Sequence, residues 1–349
     1  MTVLIVLALC ALTALALTAA VRFYALSRSV LDIPNARSSH SVPTPRGGGV
    51  AIVASFLAGL LALTAFVLDI PPEVFWALLG AGTAIALLGF LDDHGHIAAR
   101  WRLLGHFLAA LWVLYWLGGL PPLGVFGATI DFGFFGYVLS AFYLVWLLNL
   151  YNFMDGIDGI AGVEAICVCL GGALCCWLAI SDDRSGELYS LPGIYLPMLL
   201  AMAVAGFLVW NFPPARIFMG DAGSGFLGVT LGILSIHAAW NNQSLFWCWL
   251  ILLGIFIVDA TVTLLRRLFR GEKVYEAHRC HAYQFASRHY GRHLPVTVAV
   301  LLINILWLLP VAACVARETI SGMLGLLLAY IPLVGLALKY RAGLVEQEA

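Results

Sequence analysis

Five stretches of this 349-residue chain gather side chains able to do chemistry. Asp92-Asp93-His94-Gly95-His96 sets two carboxylates side by side, and such a pair repels unless it shares a cation or a proton. The segment 149–159 holds Asn149, Asn152, Asp155 and Asp158, with each Asp directly before a Gly and almost no solvating charge around them. Phe218-Met219-Gly220-Asp221-Ala222-Gly223-Ser224 isolates a single acid between glycines, and 266–293 carries a basic run followed by His278, Arg279 and His281. Nearer the N-terminus, Arg37, His40 and Arg46 precede Gly47-Gly48-Gly49. Asn and Asp oxygens, few and on separate loops, suit Mg²⁺, which takes one or two protein oxygens and fills its shell with water and phosphate. Arg and His on the same face suit developing phosphoryl charge. A GxxxxGK[ST] loop, a kinase signature set and Zn-ligand spacing are all missing from the sequence. Each motif also has a plainer reading: Asp92 and Asp93 as a solvated helix end, Asp221 as the N-cap of the next helix, and Arg266–Arg270 as an anchor at lipid headgroups. The 149–159 segment fits no plain reading well. The residues point to Mg²⁺-dependent phosphoryl chemistry.

The elements that must position these groups are membrane helices. The chain is 62% hydrophobic and 11% charged, against about 25% charged in ordinary soluble domains. A net charge of −1 excludes the basic excess of a nucleic-acid binder. Apolar runs near 2–21, 48–68, 74–91, 103–120, 134–151, 159–180, 193–212, 222–239, 245–265, 295–316 and 320–338 each approach the roughly 20 residues that a transmembrane helix needs. The fold class expected is all-α, a single polytopic bundle of about eleven transmembrane helices over residues 1–349. The first run has no basic n-region and reads as a retained helix rather than a signal peptide. Alternating from an outside N-terminus puts sixteen of the eighteen Lys and Arg on the cytoplasmic side, leaving only Arg184 and Arg317 outside. The C-terminus is then cytoplasmic. Seven of the eight cysteines fall in apolar runs and only Cys280 in a polar loop, with no CxxC pair and no disulfide framework. All five chemical stretches land on that same cytoplasmic face.

The DD pair, the NxxNxxDGxDG and FMGDxGS segments and the HRxHAY loop, in this order over roughly residues 30 to 290, resemble the bacterial polyprenyl-phosphate sugar-1-phosphate transferases, glycosyltransferase family 4. Asp32-Ile33-Pro34-Asn35-Ala36-Arg37 and Pro43–Gly49 resemble the first cytoplasmic loop of that family. The resemblance implies transfer of the 1-phosphate of an N-acetylated amino sugar from a UDP-sugar donor to an undecaprenyl phosphate acceptor in the lipid bilayer, releasing UMP. It implies Mg²⁺, with Mn²⁺ as a substitute, on Asp221 with Asn152 second. By the family's pattern Asp158 faces the uracil with Asp155 beside it and Asn149 in support. Asp92 and Asp93 engage the lipid phosphate or its proton, Arg279 and His281 hold the diphosphate with His278 nearby, and Arg37 and Arg46 contact phosphate or nucleotide. The muramyl-pentapeptide branch has a Lys where this chain has His96, and three consecutive His where it has His278-Arg279-Cys280-His281. Both departures point to the branch that initiates O-antigen or related lipopolysaccharide and surface polysaccharides at the cell inner membrane. A homodimer is left open.

A lipid phosphate is mostly dianionic at neutral pH, its second pKa being about 6, so a general base has little to add. Direct attack on the donor is expected, against a covalent phospho-aspartate at Asp92 or Asp93. The alternative from another class is a membrane transporter for an anionic or phosphorylated substrate, which would place its binding groups near the bilayer midplane.

Overall fold

The structure is a computed structural model that describes residues 1–34, 40, 42–95, 97–125, 127–180, 187–272 and 279–344, with the side chains of 187–190 excepted. Fourteen α-helices are described, running from α1 (Thr2–Ser27) and α2 (Gly49–Phe66) through α3 (Pro72–His94), α4 (Ala99–Leu117) and α5 (Phe134–Met154) to α6 (Ile160–Ala179), α7 (Glu187–Asn211) and α8 (Asp221–Asn241). Then come α9 (Gln243–Leu252), α10 (Gly254–Phe269), the short amphipathic α11 (Ala282–Tyr290), α12 (Leu294–Ile303), a π-helical turn at Asn304–Leu308, α13 (Leu309–Ala316) and α14 (Gly322–Lys339). Two small antiparallel pairs, Leu31–Asp32 with Thr44–Pro45 and Leu123–Val125 with Ala128–Ile130, complete the described elements.

This is a polytopic, all-α membrane protein. Every apolar run in the sequence falls on a helix. Among the described residues nine helices are long and apolar enough to cross a membrane, ten if α9 and α10, bent by 67° at Leu253, count as one span. The remaining run is α4, 19 residues or about 28 Å long, whose Arg100, Arg102 and His106 dilute its apolar character.

Helix α8 is the axle of the bundle. It packs against α2, α3, α5, α7 and α9 and is buried on every side. Such burial on all sides needs a helix without a polar face, and from Ala222 to Ala239 every residue is buried. Close approach is set by glycine at one place that matters for the site: a Cβ on Gly89 of α3 would lie 2.5 Å from the Ala222 amide nitrogen at the start of α8. With no side chain there, the N-terminus of α8 lies directly on α3, one turn before the Asp92–Asp93 pair. The C-terminal ends of α3 and α5 and the N-terminal ends of α8 and α12 thereby meet at one end of the bundle, around a cavity.

Candidate active site

The start of α8 exposes backbone N–H groups that need acceptors. Gly220, at φ +78°, turns the chain into the helix, and Asp93 then supplies the cap from outside. Its Oδ1 accepts from the Asp221 N–H at 3.1 Å and its Oδ2 from the Ala222 N–H at 3.3 Å. Asp93 also pairs with Arg46. The segment carrying Arg46 is held in register by Phe218 N–H to Pro45 O, Gly48 N–H to Phe218 O and Gly49 N–H to Met219 O. Asp92 is likewise engaged: its Oδ1 accepts from the Ile97 N–H at 2.8 Å and its Oδ2 pairs with Arg102 at 2.5 Å. Capping therefore falls to Asp93 and not to Asp221, whose carboxylate is left facing the cavity.

Around Asp221 the electrostatics are unbalanced. Arg46 and Arg102 stand 3.7 and 3.5 Å from its two oxygens, but each is already committed to Asp93 or Asp92. Asn152 lines both cavities with Asp221, and Asp92 lines the smaller one with it, so two carboxylates share one site and repel unless a cation or proton lies between them. Asp155 lies at the same cavity. Burial, followed by the nearby charges of Asp221 and Asp93, pushes the Asp155 carboxyl well above the usual range. Among the described residues, carboxylates thus outnumber guanidiniums around Asp221. Arg46 is held protonated: its burial opposes the charge, but Asp93 and Asp221 outweigh it.

The cavity, about 270 Å³, is lined by Asn152, Asp155, Gly156, Asp158, Arg46, Asp221 and, from elements further along the chain, Gln284 and His293. Asp158 is built into its wall. One oxygen accepts from the Ala215 N–H at 3.0 Å, and the other lies 3.0 Å from His293 Nδ1. Burial alone would raise this carboxyl, but the His293 and Ala215 hydrogen bonds bring it below its ordinary value. Asn211 ties the same wall together, accepting from the Gly159 N–H and donating to Ile217 O. On the other side of Asp221, a smaller cavity of about 50 Å³ lies among α3, α4, α5 and α8 and is lined by Asp92, Arg102, His106, Asn149 and apolar side chains such as Leu88 and Leu148. Asp221 and Asn152 line both.

Residues 75–239 match the family described as glycosyl transferase family 4. A phospho-N-acetylmuramoyl-pentapeptide-transferase of Saccharopolyspora erythraea is 30% identical over 331 residues, covering 85% of this chain and 86% of that protein. The chain belongs to glycosyl transferase family 4. Within this family it is also similar to the undecaprenyl-phosphate alpha-N-acetylglucosaminyl 1-phosphate transferase of Thermotoga maritima, 28% identical over 298 residues that cover 84% of this chain and 86% of that protein. A decaprenyl-phosphate N-acetylglucosaminephosphotransferase of Mycobacterium tuberculosis is 29% identical over 237 residues, 64% of this chain and 57% of that protein.

Of the residues expected from the family pattern, the structure brings Arg46, Asp92, Asp93, Asn149, Asn152, Asp155, Asp158 and Asp221 to the two cavities or their immediate walls. Asn149 sits on the smaller one, donating to Val145 O and to His106 Nδ1. Arg37 and His278 lie outside the described residues. His281 is not in the larger cavity's lining. It is buried beside Asp259 of α10, with its Nδ1 3.3 Å from Oδ1, and stacks on Tyr283. Asp259 also accepts from the Ala282 and Tyr283 N–H groups, so this His–Asp pair caps the start of α11. Arg279 is exposed and does not line the larger cavity either. The residues that do arrive from this region are Gln284 and His293. Arg102, read from the sequence only as a topological charge, pairs with Asp92. Two residues before His293 stands Gly291, at φ +66°, which ends α11 and is the sequence signal for the turn that delivers it.

Proposed function

We propose that this protein transfers the 1-phosphate of an N-acetylated amino sugar from a UDP-sugar to undecaprenyl phosphate, releasing UMP. The reading places eleven helices in the bacterial inner membrane, N-terminus outside and C-terminus inside, with the acidic cavity at the cytoplasmic face. Sixteen of eighteen basic residues on that side support it. The observation that carries the chemistry is the division of labour at α8: because Asp93 takes the cap, Asp221 keeps its carboxylate for a ligand.

The donor set fits Mg²⁺. Among the described residues no three His, Cys, Asp or Glu side chains form a ready-made cage, and Mg²⁺ ordinarily uses one or two carboxylates with substrate phosphates instead. Asp221 would hold it, with Asn152 second, and the surplus negative charge around Asp221 matches a divalent cation. Bound there, the ion supplies charge neutralisation for the donor diphosphate and the departing UMP. Arg46 and Arg102 flank the site from opposite sides and orient phosphate oxygens. Asp158, His293 and Gln284 form the wall that would receive the uridine. The lipid phosphate would meet Asp92, Arg102 and His106 in the smaller cavity, so that acceptor and donor approach Asp221 from opposite sides. An acceptor phosphate oxygen forms the new bond to the sugar-bearing phosphorus, and the bond from that phosphorus to the bridging oxygen breaks as UMP leaves. Direct transfer is preferred over a phospho-aspartate, because Asp93 has both oxygens in hydrogen bonds and Asp92 accepts from Arg102 and Ile97. A place at the head of O-antigen or related surface polysaccharide synthesis follows from His96 and the broken histidine run of 278–281. Because the polar cavity sits at one end of the bundle, a midplane transport site has no counterpart in it.

Purified protein in detergent, given undecaprenyl phosphate, Mg²⁺ and a panel of UDP-N-acetyl sugars, should release UMP with at least one of them and stop on chelation. No UMP release across the panel would overturn the reading. Exchange of labelled UMP into the donor without lipid would replace direct transfer by the covalent route.

A further inference from the structure

One acid inside the bundle has no part in the proposed reaction. Glu164, one turn into α6, is 0% exposed, and among the described residues no Lys, Arg or His pairs with it. An ionised carboxylate in such a place is costly, and acids inside membrane helices are kept where they have a partner or a task. The partner of Glu164 is Asn304, also buried, at the start of the π-helical turn. That turn comes just before Pro310, whose missing N–H disturbs the regular helical ladder.

Donors and acceptors at this pair do not balance. Asn304 Nδ2 donates to Glu164 Oε2 at 2.6 Å and to Val300 O at 3.1 Å, which spends both of its hydrogens. Both neighbours are acceptors, so the amide cannot be turned the other way round. Glu164 Oε1 and Asn304 Oδ1 remain, two buried acceptors without a hydrogen-bond partner. The backbone N–H of Phe256, in the first turn of α10, also acts on the carboxyl, so the atom most in need of a donor is Asn304 Oδ1. A carboxylic acid supplies that donor, because acid and primary amide are matching forks with one donor and one acceptor each. The pair also has a place in the fold. His293, Thr297 and Asn304 lie on one stripe of the α12 segment, and each meets α6 or the turn leading into it. His293 Nδ1 is 3.0 Å from Asp158, Thr297 Oγ1 donates to Asp158 O at 2.8 Å, and Asn304 reaches Glu164. Apolar packing between membrane helices has little direction, so such polar contacts decide how one helix sits on the next.

We infer that Glu164 is carried as the neutral acid, its O–H donating to Asn304 Oδ1, and that this two-bond lock positions α12 so that His293 meets Asp158 at the cavity wall. Glu164 is thus a positioning residue that touches no substrate. Its effect on a ligand rests on the uridine wall of the proposed transferase; the lock itself does not.

Infrared difference spectra of the full-length protein in detergent, wild type against Glu164→Gln, read the proton directly. Wild type should show a carboxylic-acid C=O band, shifted in heavy water, that the variant lacks. In Asn304→Leu the band should persist and move to higher frequency, since its C=O loses the Nδ2 donor. Gln keeps one donor and one acceptor on the same fork, so Glu164→Gln should match wild type in Tm and in its affinity for UMP with Mg²⁺. Glu164→Leu should melt lower and, well below its Tm, bind UMP about tenfold more weakly. Should it misfold, Asn304→Leu makes the same comparison. Absence of the band overturns the neutral acid, as does a Glu164→Gln protein as impaired as Glu164→Leu, because the charge would then be what matters. A leucine variant with wild-type UMP affinity overturns the positioning role even if its Tm falls. Wild type that binds no UMP would count against the transferase reading instead, and the infrared and melting comparisons would still decide the lock.

Discussion

Two pairs of acids stand around the head of α8 and make opposite use of their oxygens. Asp92 and Asp93, at the end of α3, are saturated: guanidiniums and backbone N–H groups occupy their oxygens, and their side chains are nearly buried. Asp221 and Asp155 line the cavity, with Asp221 reached only by cations already paired elsewhere and Asp155 pushed toward its neutral form by burial and its neighbours. The difference teaches that identical side chains in one cluster divide into frame and working groups according to whether the backbone has already used their oxygens. In this protein the conspicuous DD pair has its oxygens engaged by the chain itself, and the lone acid between glycines is the group with capacity to spare.

The largest effect expected is on the working side. Asp221→Ala should lower transfer by about a thousandfold or more, several kcal/mol of lost transition-state stabilisation, while Tm in detergent stays at or above that of wild type. A matching loss of Tm would move Asp221 to the frame. Asp93→Ala should show the reverse signature, a clear fall in Tm together with lost activity. Removing the cap alone costs about 1–2 kcal/mol, and Arg46 loses its partner as well. Thermal melts of the two variants side by side separate the roles, and equal Tm values would break the comparison.

Gly89→Ala tests the geometry that allows the cap. A methyl group 2.5 Å from the Ala222 nitrogen must push α8 off α3, at a cost of about 1–3 kcal/mol, with activity falling as Asp221 shifts. An unchanged Tm would show that the contact is not needed. The smallest effect concerns Asp158, whose pKa is lowered in the folded protein. A depressed carboxylate stabilises the fold above its unfolded pKa of about 4 and loses that contribution as pH falls through the folded value. Asp158→Asn should therefore melt below wild type at neutral pH, and the gap should close on acidification. A gap that widens with acid would reverse the assigned sign.

Much of this was legible in the chain itself. Apolar runs of about 20 residues reported the helices, because a bilayer leaves the backbone little choice. The motifs marked the cavity because acids and amides at helix ends have few other reasons to gather. What stayed hidden depended on pairings between distant segments. Nothing local distinguishes Asp93, which caps a helix 128 positions later, from Asp221, which occupies the first turn of that helix. Nothing local separates Arg102 from a topological charge, and its pairing with Asp92 comes from the fold. Nothing local in the sequence announces that Asp259, on a membrane helix 22 positions earlier, lies beside His281 at the start of α11. The 67° bend at Leu253 follows neither a proline nor a charge, so the apolar run 245–265 carries no mark of it.

The central claim is that Asp221, freed by Asp93, is where a divalent cation binds. Electron paramagnetic resonance of Mn²⁺ added with UDP-N-acetylglucosamine to the purified protein addresses it without any need for turnover. The account predicts one tightly bound Mn²⁺ in wild type and in Asp158→Asn, and only the free-ion signal in Asp221→Asn. Undiminished binding in Asp221→Asn would contradict it.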